Sequence, residues 1–395
     1  MTASASAVAT TRITTAPVAV KPPARIALLG TGTVGSAVLA RLAAWDGTPL
    51  GRRLSLAHVA NSCVAVRAAG DAHADTPGAP SHVPFAHLLP RHATWQAGVA
   101  HPALVEQALG DARCRIVVDA TASEAVADRH AHWLAQGIHV VTACKLGQGA
   151  ALSRWHRIRA ACAAGDACYG DSATVGAGLP LLRALRDLQA GGDRIHALAG
   201  VLSGSLAWLF HYYDGMRPFS ALVRQAREAG YTEPDPREDL SGEDVRRKLL
   251  ILARATGEAL EAAAVAVGSL VPPTLAGLPA ATLDPALSAL DAPLRSRFAA
   301  AWKDGARLRF VGRLDLRGAT PLARVGLEAL PADDPLAGGS GTDNRVAIWS
   351  DRYARQPLVI QGPGAGADVT AAALLDDALR IAGLQDATGR ASAAR

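Results

Sequence analysis

Over the first 165 residues, short apolar runs alternate with segments of helical period. Ala24 to Leu29, Leu54 to Ala60, Ile116 to Ala120 and Ile138 to Thr142 are runs of strand length, and Thr33 to Ala44 and Ser123 to Gln136 read as helices between them. Apolar runs this short are those of strands buried on both faces. Their alternation with helices predicts a parallel sheet covered on both sides. Residues 68–93, rich in Ala, His, Pro and Gly, read as a variable loop region. Beyond residue 165 the texture changes. Helical segments are expected at 179–190 and 242–256, a Pro/Ala/Leu-rich stretch covers 270–300, and strand-like runs follow at 307–315 and 320–328. Asp368 to Ile381 reads as a helix behind a glycine-rich turn, and no internal repeat is visible.

The turn after the first strand is Gly30-Thr31-Gly32-Thr33-Val34-Gly35. Gly30 permits the tight turn, Gly32 lets backbone approach a pyrophosphate, and Gly35 lets the helix pack close to the strand. The helix start, at Thr33 and Val34, then presents unpaired N–H groups to phosphate. The strand before and helix after make this a Rossmann-type dinucleotide fingerprint. The second strand ends at Asn61-Ser62, without the Asp or Glu that holds the ribose hydroxyls of NAD. Arg52, Arg53 and Arg67 are near in sequence, so NADP is favoured, with NAD as the alternative. The expected architecture is α/β: a tail over 1–22, a Rossmann-type nucleotide-binding domain over 23–165, an α+β domain over 166–345, and a C-terminal segment over 346–395 that returns to the nucleotide-binding domain.

Two features point to substrate chemistry. Lys145 follows the strand ending at Thr142, and ligands of open α/β sheets sit beyond the carboxyl ends of strands. Residues 231–248 place Glu233, Asp235 and Asp239 on a proline-stiffened loop able to grip an ammonium group, followed by a helix starting at Ser241. Asp244 falls where it could complete a capping box with Ser241. At about 100° per residue, Val245, Lys248, Leu249 and Leu252 share one face, with Asp244 one turn before Lys248. Glu243, Arg246, Arg247 and Arg254 fall on the opposite, charged face. A lysine in an apolar stripe needs a partner or a task, and desolvation moves it towards acid/base work.

Composition narrows the class. Half of the 395 residues are hydrophobic, 19% are charged and the formal charge is +5. The cations are scattered, with no basic stripe interleaved with aromatics, which argues against nucleic acid. No apolar run suits a bilayer. Five cysteines without paired spacing suit a reducing cytoplasm. His73, His82, His87 and His92 are irregularly spaced and have no cysteine cluster to make a zinc site.

The chain resembles the homoserine dehydrogenase family. The residues that carry the likeness are Gly30–Gly35, Gly137 to Lys145, Ala173 to Pro180, Ser203-Gly204-Ser205, the 231–248 segment, Gly341 to Asn344, and Gly362 to Gly366 with Val369-Thr370. The resemblance implies NAD(P)H-dependent reduction of L-aspartate 4-semialdehyde to L-homoserine, reversibly, in threonine and methionine synthesis. It implies Lys248 as the acid/base, with Asp244 orienting it or a bridging water; Glu233 and Asp239 as contacts of the substrate amino group; Lys145 as a second essential lysine near carboxylate and nicotinamide; and Thr121 and Gly366 as cofactor contacts. It also implies a sodium ion held by the carbonyls of Val175, Ala177 and Leu179, with a fourth at Ser172, and a homodimer through the 166–345 catalytic domain. The family usually has Asn at Cys144 and an acid at Ser172. A fused regulatory or kinase domain is not expected. Two rival readings are a nucleotide sensor without turnover and a dehydrogenase of another amino-acid aldehyde.

Overall fold

The structure is a computed structural model that describes residues 22–62, 64–67, 96–97 and 102–393. The expected loop at 68–93 and its four histidines lie outside the described residues.

The first unit is a seven-stranded sheet: β1 (Ala24–Leu29), β2 (Leu54–Ala60), β3 (Val64–Arg67), β4 (Gln96–Ala97), β5 (Arg115–Asp119), β6 (His139–Thr142) and β7 (Tyr169–Gly170), in the order β4-β3-β2-β1-β5-β6-β7. From β2 to β7 through β1, β5 and β6 the pairing is parallel, whereas β3 and β4 are antiparallel additions at one edge. The sheet is therefore mixed, not purely parallel. Helix α1 (Thr33–Ala44) packs Val38 and Leu42 on one face, together with Leu374, Leu375 and Ile381 of the C-terminal helix Ala367–Ala393. The other face carries α2 (Pro102–Leu109), α3 (Glu124–Ala127), α4 (His130–Ala135) and α5 (Leu152–Ala164), with Val105, Leu109, Trp133, Leu134 and Ile158 in its core. The single helix expected over 123–136 is thus two short ones. Ser123 caps the first by accepting from Val126 N, and Arg129 separates it from the second.

The chain leaves β1 for β2 on one side and later returns to β5 on the other. A crevice opens at such a reversal, beyond the carboxyl ends of the strands, because the two connections diverge there. Gly30 and Thr121 are the residues that flank it.

The second unit is a six-stranded sheet of β8 (Ile195–Val201), β9 (Val265–Val267), β10 (Arg307–Asp315), β11 (Leu322–Leu330), β12 (Asp343–Ser350) and β13 (Leu358–Pro363), ordered β13-β12-β8-β10-β11-β9. All pairs are antiparallel except β9 with β11. Helices α6 (Leu181–Ala190), α7 (Gly204–Tyr212), α8 (Phe219–Glu228), α9 (Pro236–Leu240) and α10 (Glu243–Ala255) close its main core. The Pro/Ala/Leu-rich stretch forms α11 (Pro273–Ala276), α12 (Ala280–Ala286) and α13 (Asp291–Lys303).

The expected return of 346–395 to the nucleotide-binding unit is corrected in part. Residues 346–350 continue β12 and 358–363 form β13, both in the second sheet. Only α14 (Ala367–Ala393) crosses back to α1. The physical reason is pairing: β12 fills the edge of β8 that β10 leaves open.

Candidate active site

The cofactor cradle is built by close approach. A methyl group added at Gly35 would lie 1.9 Å from the Gly30 carbonyl oxygen, so α1 and the end of β1 meet at a separation only glycine allows. Gly30 has φ +95°, and a methyl group there would meet the Ala120 carbonyl at 2.7 Å. Gly32 faces open space and is the N-cap of α1, with no side-chain cap and no acid in the first turn. Unpaired N–H groups and the positive end of the helix dipole, free of a competing carboxylate, suit a pyrophosphate. Thr121 lies across the crevice, its N–H and hydroxyl donating to Asp119 Oδ1 at 2.9 and 2.6 Å.

At the end of β2, Asn61 donates to the Thr31 hydroxyl. Arg52 and Arg53, near Asn61 in sequence, are not beside it. Arg52 and Arg53 precede β2, at its opposite end, and donate to the carbonyls of Gly47 and Leu379. Seven strand residues separate the two ends by roughly 23 Å. Arg67 stands opposite His58, back along the sheet. Nearness in sequence misled because a strand carries its two ends apart.

The second half of the site comes from α10. Lys248 is buried, and its Nζ donates to the Leu202 carbonyl at 2.7 Å and to Asp244 Oδ2 at 2.8 Å. Asp244 Oδ1 lies 3.3 Å from Lys145 Nζ, which arrives from the loop after β6. One half-buried carboxylate therefore bridges a lysine from each unit. Burial opposes its ionisation, but the charges of Lys248 and Lys145 prevail and hold the Asp244 carboxyl well below its ordinary range. The capping box with Ser241 does not form. Gly242 is the N-cap, and the Ser241 hydroxyl donates to Glu238 O and accepts from Glu243 N. Asp244 is thereby left to the lysines.

Of the three acids expected to grip an ammonium group, one is paired with an arginine within its own helix. Asp235 caps α9 and is neutralised by the Arg237 guanidinium. Asp239 accepts from the Ser205 hydroxyl at 2.7 Å and from Glu233 N at 2.9 Å. Burial pushes its carboxyl above the ordinary value, and the negative charge of Asp244 adds to this against the pull of those hydrogen bonds. Glu233 is exposed beside it. Cys144 is buried, with its thiol pushed up to about 12 by burial first and Asp119 second, so it stays neutral.

The turn at 175–179 packs against the start of α14, where a methyl group on Gly178 would meet Val369 O at 3.2 Å. This brings the turn near Gly366, which precedes α14 and has φ +126°. Ala177 has φ +50°, a left-handed conformation that residues with a side chain rarely adopt. Ser172 donates through both N and Oγ to Asp377, and Asp171 Oδ1 is buried without a hydrogen-bond partner.

Several contributors were missed in the sequence. Ser205 was legible only as part of a motif. Asp119 takes Thr121, Thr142 and His130 on one carboxylate, and His130 also meets Tyr169. Arg254, assigned to the charged outer face of its helix, is 2% exposed. Periodicity alone could not have shown that this face meets the other unit.

Residues 30–169 match the family model for the homoserine dehydrogenase NAD binding domain, and residues 180–379 match that for homoserine dehydrogenase. The homoserine dehydrogenase of Emericella nidulans is 35% identical over 91% of this chain and 98% of its own. The bifunctional aspartokinase/homoserine dehydrogenase 2, chloroplastic, of Zea mays is 43% identical over 68% of this chain, which spans only 29% of that protein. A crystal structure of a Candida auris protein of unknown function superposes with a TM-score of 0.81 at 33% identity, covering 91% of this chain and 98% of the other.

Proposed function

Because this chain belongs to the homoserine dehydrogenase family, we propose that it interconverts L-aspartate 4-semialdehyde and L-homoserine with NADP(H). The observation that carries this reading is Asp244 between Lys145 and Lys248, with Lys145 on the loop after β6, in the same sheet as the β1 end that carries the glycine turn. When bound, the nicotinamide gives or takes the hydride. An ammonium group has three donors. Two of those on Lys248 serve Leu202 O and Asp244, and we assign the third to the substrate oxygen. Lys248 then gives that oxygen a proton in reduction and takes one in oxidation. Asp244 keeps the proton on the lysine side. Lys145 faces the substrate carboxylate, and Asp239 with Glu233 holds the ammonium group. The preference for NADP rests on Asn61, which offers a 2′-phosphate no carboxylate to repel it. The carbonyls of Val175, Ala177 and Leu179 would hold a sodium ion. The left-handed Ala177 and the orphan Asp171 oxygen support a cation there, although Ser172 is turned to Asp377. A homodimer through the second unit follows from the family, and sedimentation at twice the chain mass tests it.

One assay tests the reading: homoserine oxidation with NADP and NAD in parallel, in sodium chloride and in choline chloride at equal ionic strength. Reduction of NADP faster than NAD, stimulated by sodium, is expected. Cofactor binding without turnover would overturn the reading.

Asp239→Asn is expected to raise KM for homoserine by about 10- to 100-fold, with kcat changed far less, since a charged hydrogen bond to substrate is lost in ground and transition states alike. The pH dependence has a definite sign. Asp239 must be ionised to pair with an ammonium group, and its carboxyl titrates above the ordinary 3.8. In the wild type, KM should therefore rise as pH falls through that raised value, before Asp244 is protonated. A flat KM on the acid side would remove Asp239 from the substrate site.

A further inference from the structure

The face of α10 opposite its apolar stripe is not solvated where it matters. Arg254, two turns beyond Arg247 on that face, is buried and, among the described residues, forms no salt bridge, although the charge of Glu261 acts on it. Its guanidinium instead donates to main-chain carbonyls: Gln148 O, Ala150 O at 2.8 Å, and Leu260 O at 2.8 and 3.3 Å. Gln148 and Ala150 belong to the loop that begins at Lys145. Between them sits Gly149, whose N–H donates to Lys145 O at 2.7 Å. A methyl group on Gly149 would meet Lys145 O at 2.8 Å and Arg247 O at 2.9 Å. The loop backbone thus lies directly on the backbone of α10, clamped on both sides of the glycine by one side chain.

This geometry has a consequence for the two lysines. Lys248 is fixed to α10 by its own helix, but Lys145 enters from the other unit on a loop. Its 3.3 Å contact with Asp244 holds only while that loop stays docked. A buried guanidinium serving carbonyls alone is costly unless its full fork is used, and here three carbonyls take it. We infer that Arg254 is a positioning residue for the reaction: its guanidinium straps the 148–150 carbonyls to α10 and so sets Lys145 against Asp244 and Lys248. The inference rests on the function proposed above.

If Arg254 acts through Lys145, the two must be coupled. Arg254→Ala is expected to lower homoserine turnover about 100-fold, the cost of a misplaced group, with the cofactor dissociation constant read by fluorescence little changed. Millimolar guanidinium chloride should restore at least part of that turnover. In a Lys145→Ala background, the same substitution should cost less than about 3-fold, and guanidinium should do nothing. Equal losses in both backgrounds, or rescue in both, would overturn the inference and leave Arg254 a purely structural strut. Arg254→Lys covers the case in which alanine does not fold. It keeps the cation but not the fork, and its intermediate loss should show the same dependence on Lys145. Amine labelling read by mass spectrometry separates this inference from the function it rests on. Without substrate, Lys145 should label faster in the Arg254 variants than in the wild type, relative to the exposed Lys303. Unchanged labelling sinks the strap even if turnover falls. Absence of homoserine turnover in the wild type sinks the function and leaves the labelling result to stand.

Discussion

Lys248→Ala is expected to lower the turnover number by about three orders of magnitude, within the range that positioned acid/base groups supply, while leaving the cofactor dissociation constant nearly unchanged. The separation follows from where the lysine sits. It belongs to α10 in the second unit, whereas the dinucleotide cradle is formed by β1, α1 and the end of β5 in the first. Lys248→Arg should be almost as damaging. It preserves a positive charge, but a guanidinium does not give up its proton in this range, and its planar fork differs from the compact ammonium that serves Leu202 O and Asp244. The measurement is steady-state homoserine oxidation beside cofactor titration by fluorescence. Turnover retained within a few-fold in the alanine variant would remove Lys248 from the proton path.

The second large effect is expected at Asp244. Asp244→Asn replaces the carboxylate that Lys145 and Lys248 share with a neutral amide, so two ammonium groups face each other without their counter-charge. Turnover should fall by about 100-fold or more, because both lysines lose their position together. Stability should change with a definite pH dependence. The folded-state carboxyl lies below its ordinary value of 3.8, so its contribution to stability is fully present above that value. It is lost as pH falls from there through the lowered folded value. Thermal melts of wild type and Asp244→Asn should therefore differ by a constant amount at neutral pH and converge only on acidification below 3.8. Convergence already near neutral pH would contradict the ion-pair geometry.

The sequence was most informative where chemistry is local. The glycine spacing at 30–35 is a statement about one turn, and the backbone obeys it: φ at Gly30 and the 1.9 Å approach at Gly35 leave no alternative. The wheel of α10 is equally local. It places Lys248 among Val245, Leu249 and Leu252, and all four are buried. Asp244 precedes Lys248 by one turn, and the pair forms. The resemblance then attached a reaction to these residues that periodicity could not.

What required the tertiary structure is whatever depends on the partner surface. A wheel states that Arg254 is opposite the apolar stripe. It does not state that the loop from Lys145 covers it. An acid on a loop could grip a ligand, but Asp235 is taken by Arg237 and Asp239 is held by Ser205. Arg52 and Arg53, close to Asn61 in number, lie a strand length away from it, because extended chain turns sequence proximity into distance. Strand β12 escaped notice because its partner β8 lies more than a hundred residues earlier, and β13 pairs in turn with β12. Sequence alone thus determined the cradle, the buried lysine and its helical partner, since each is written within one turn or one helix. The tertiary structure decided that Lys145 meets that pair at Asp244, because this contact joins two units and no local rule reaches across them.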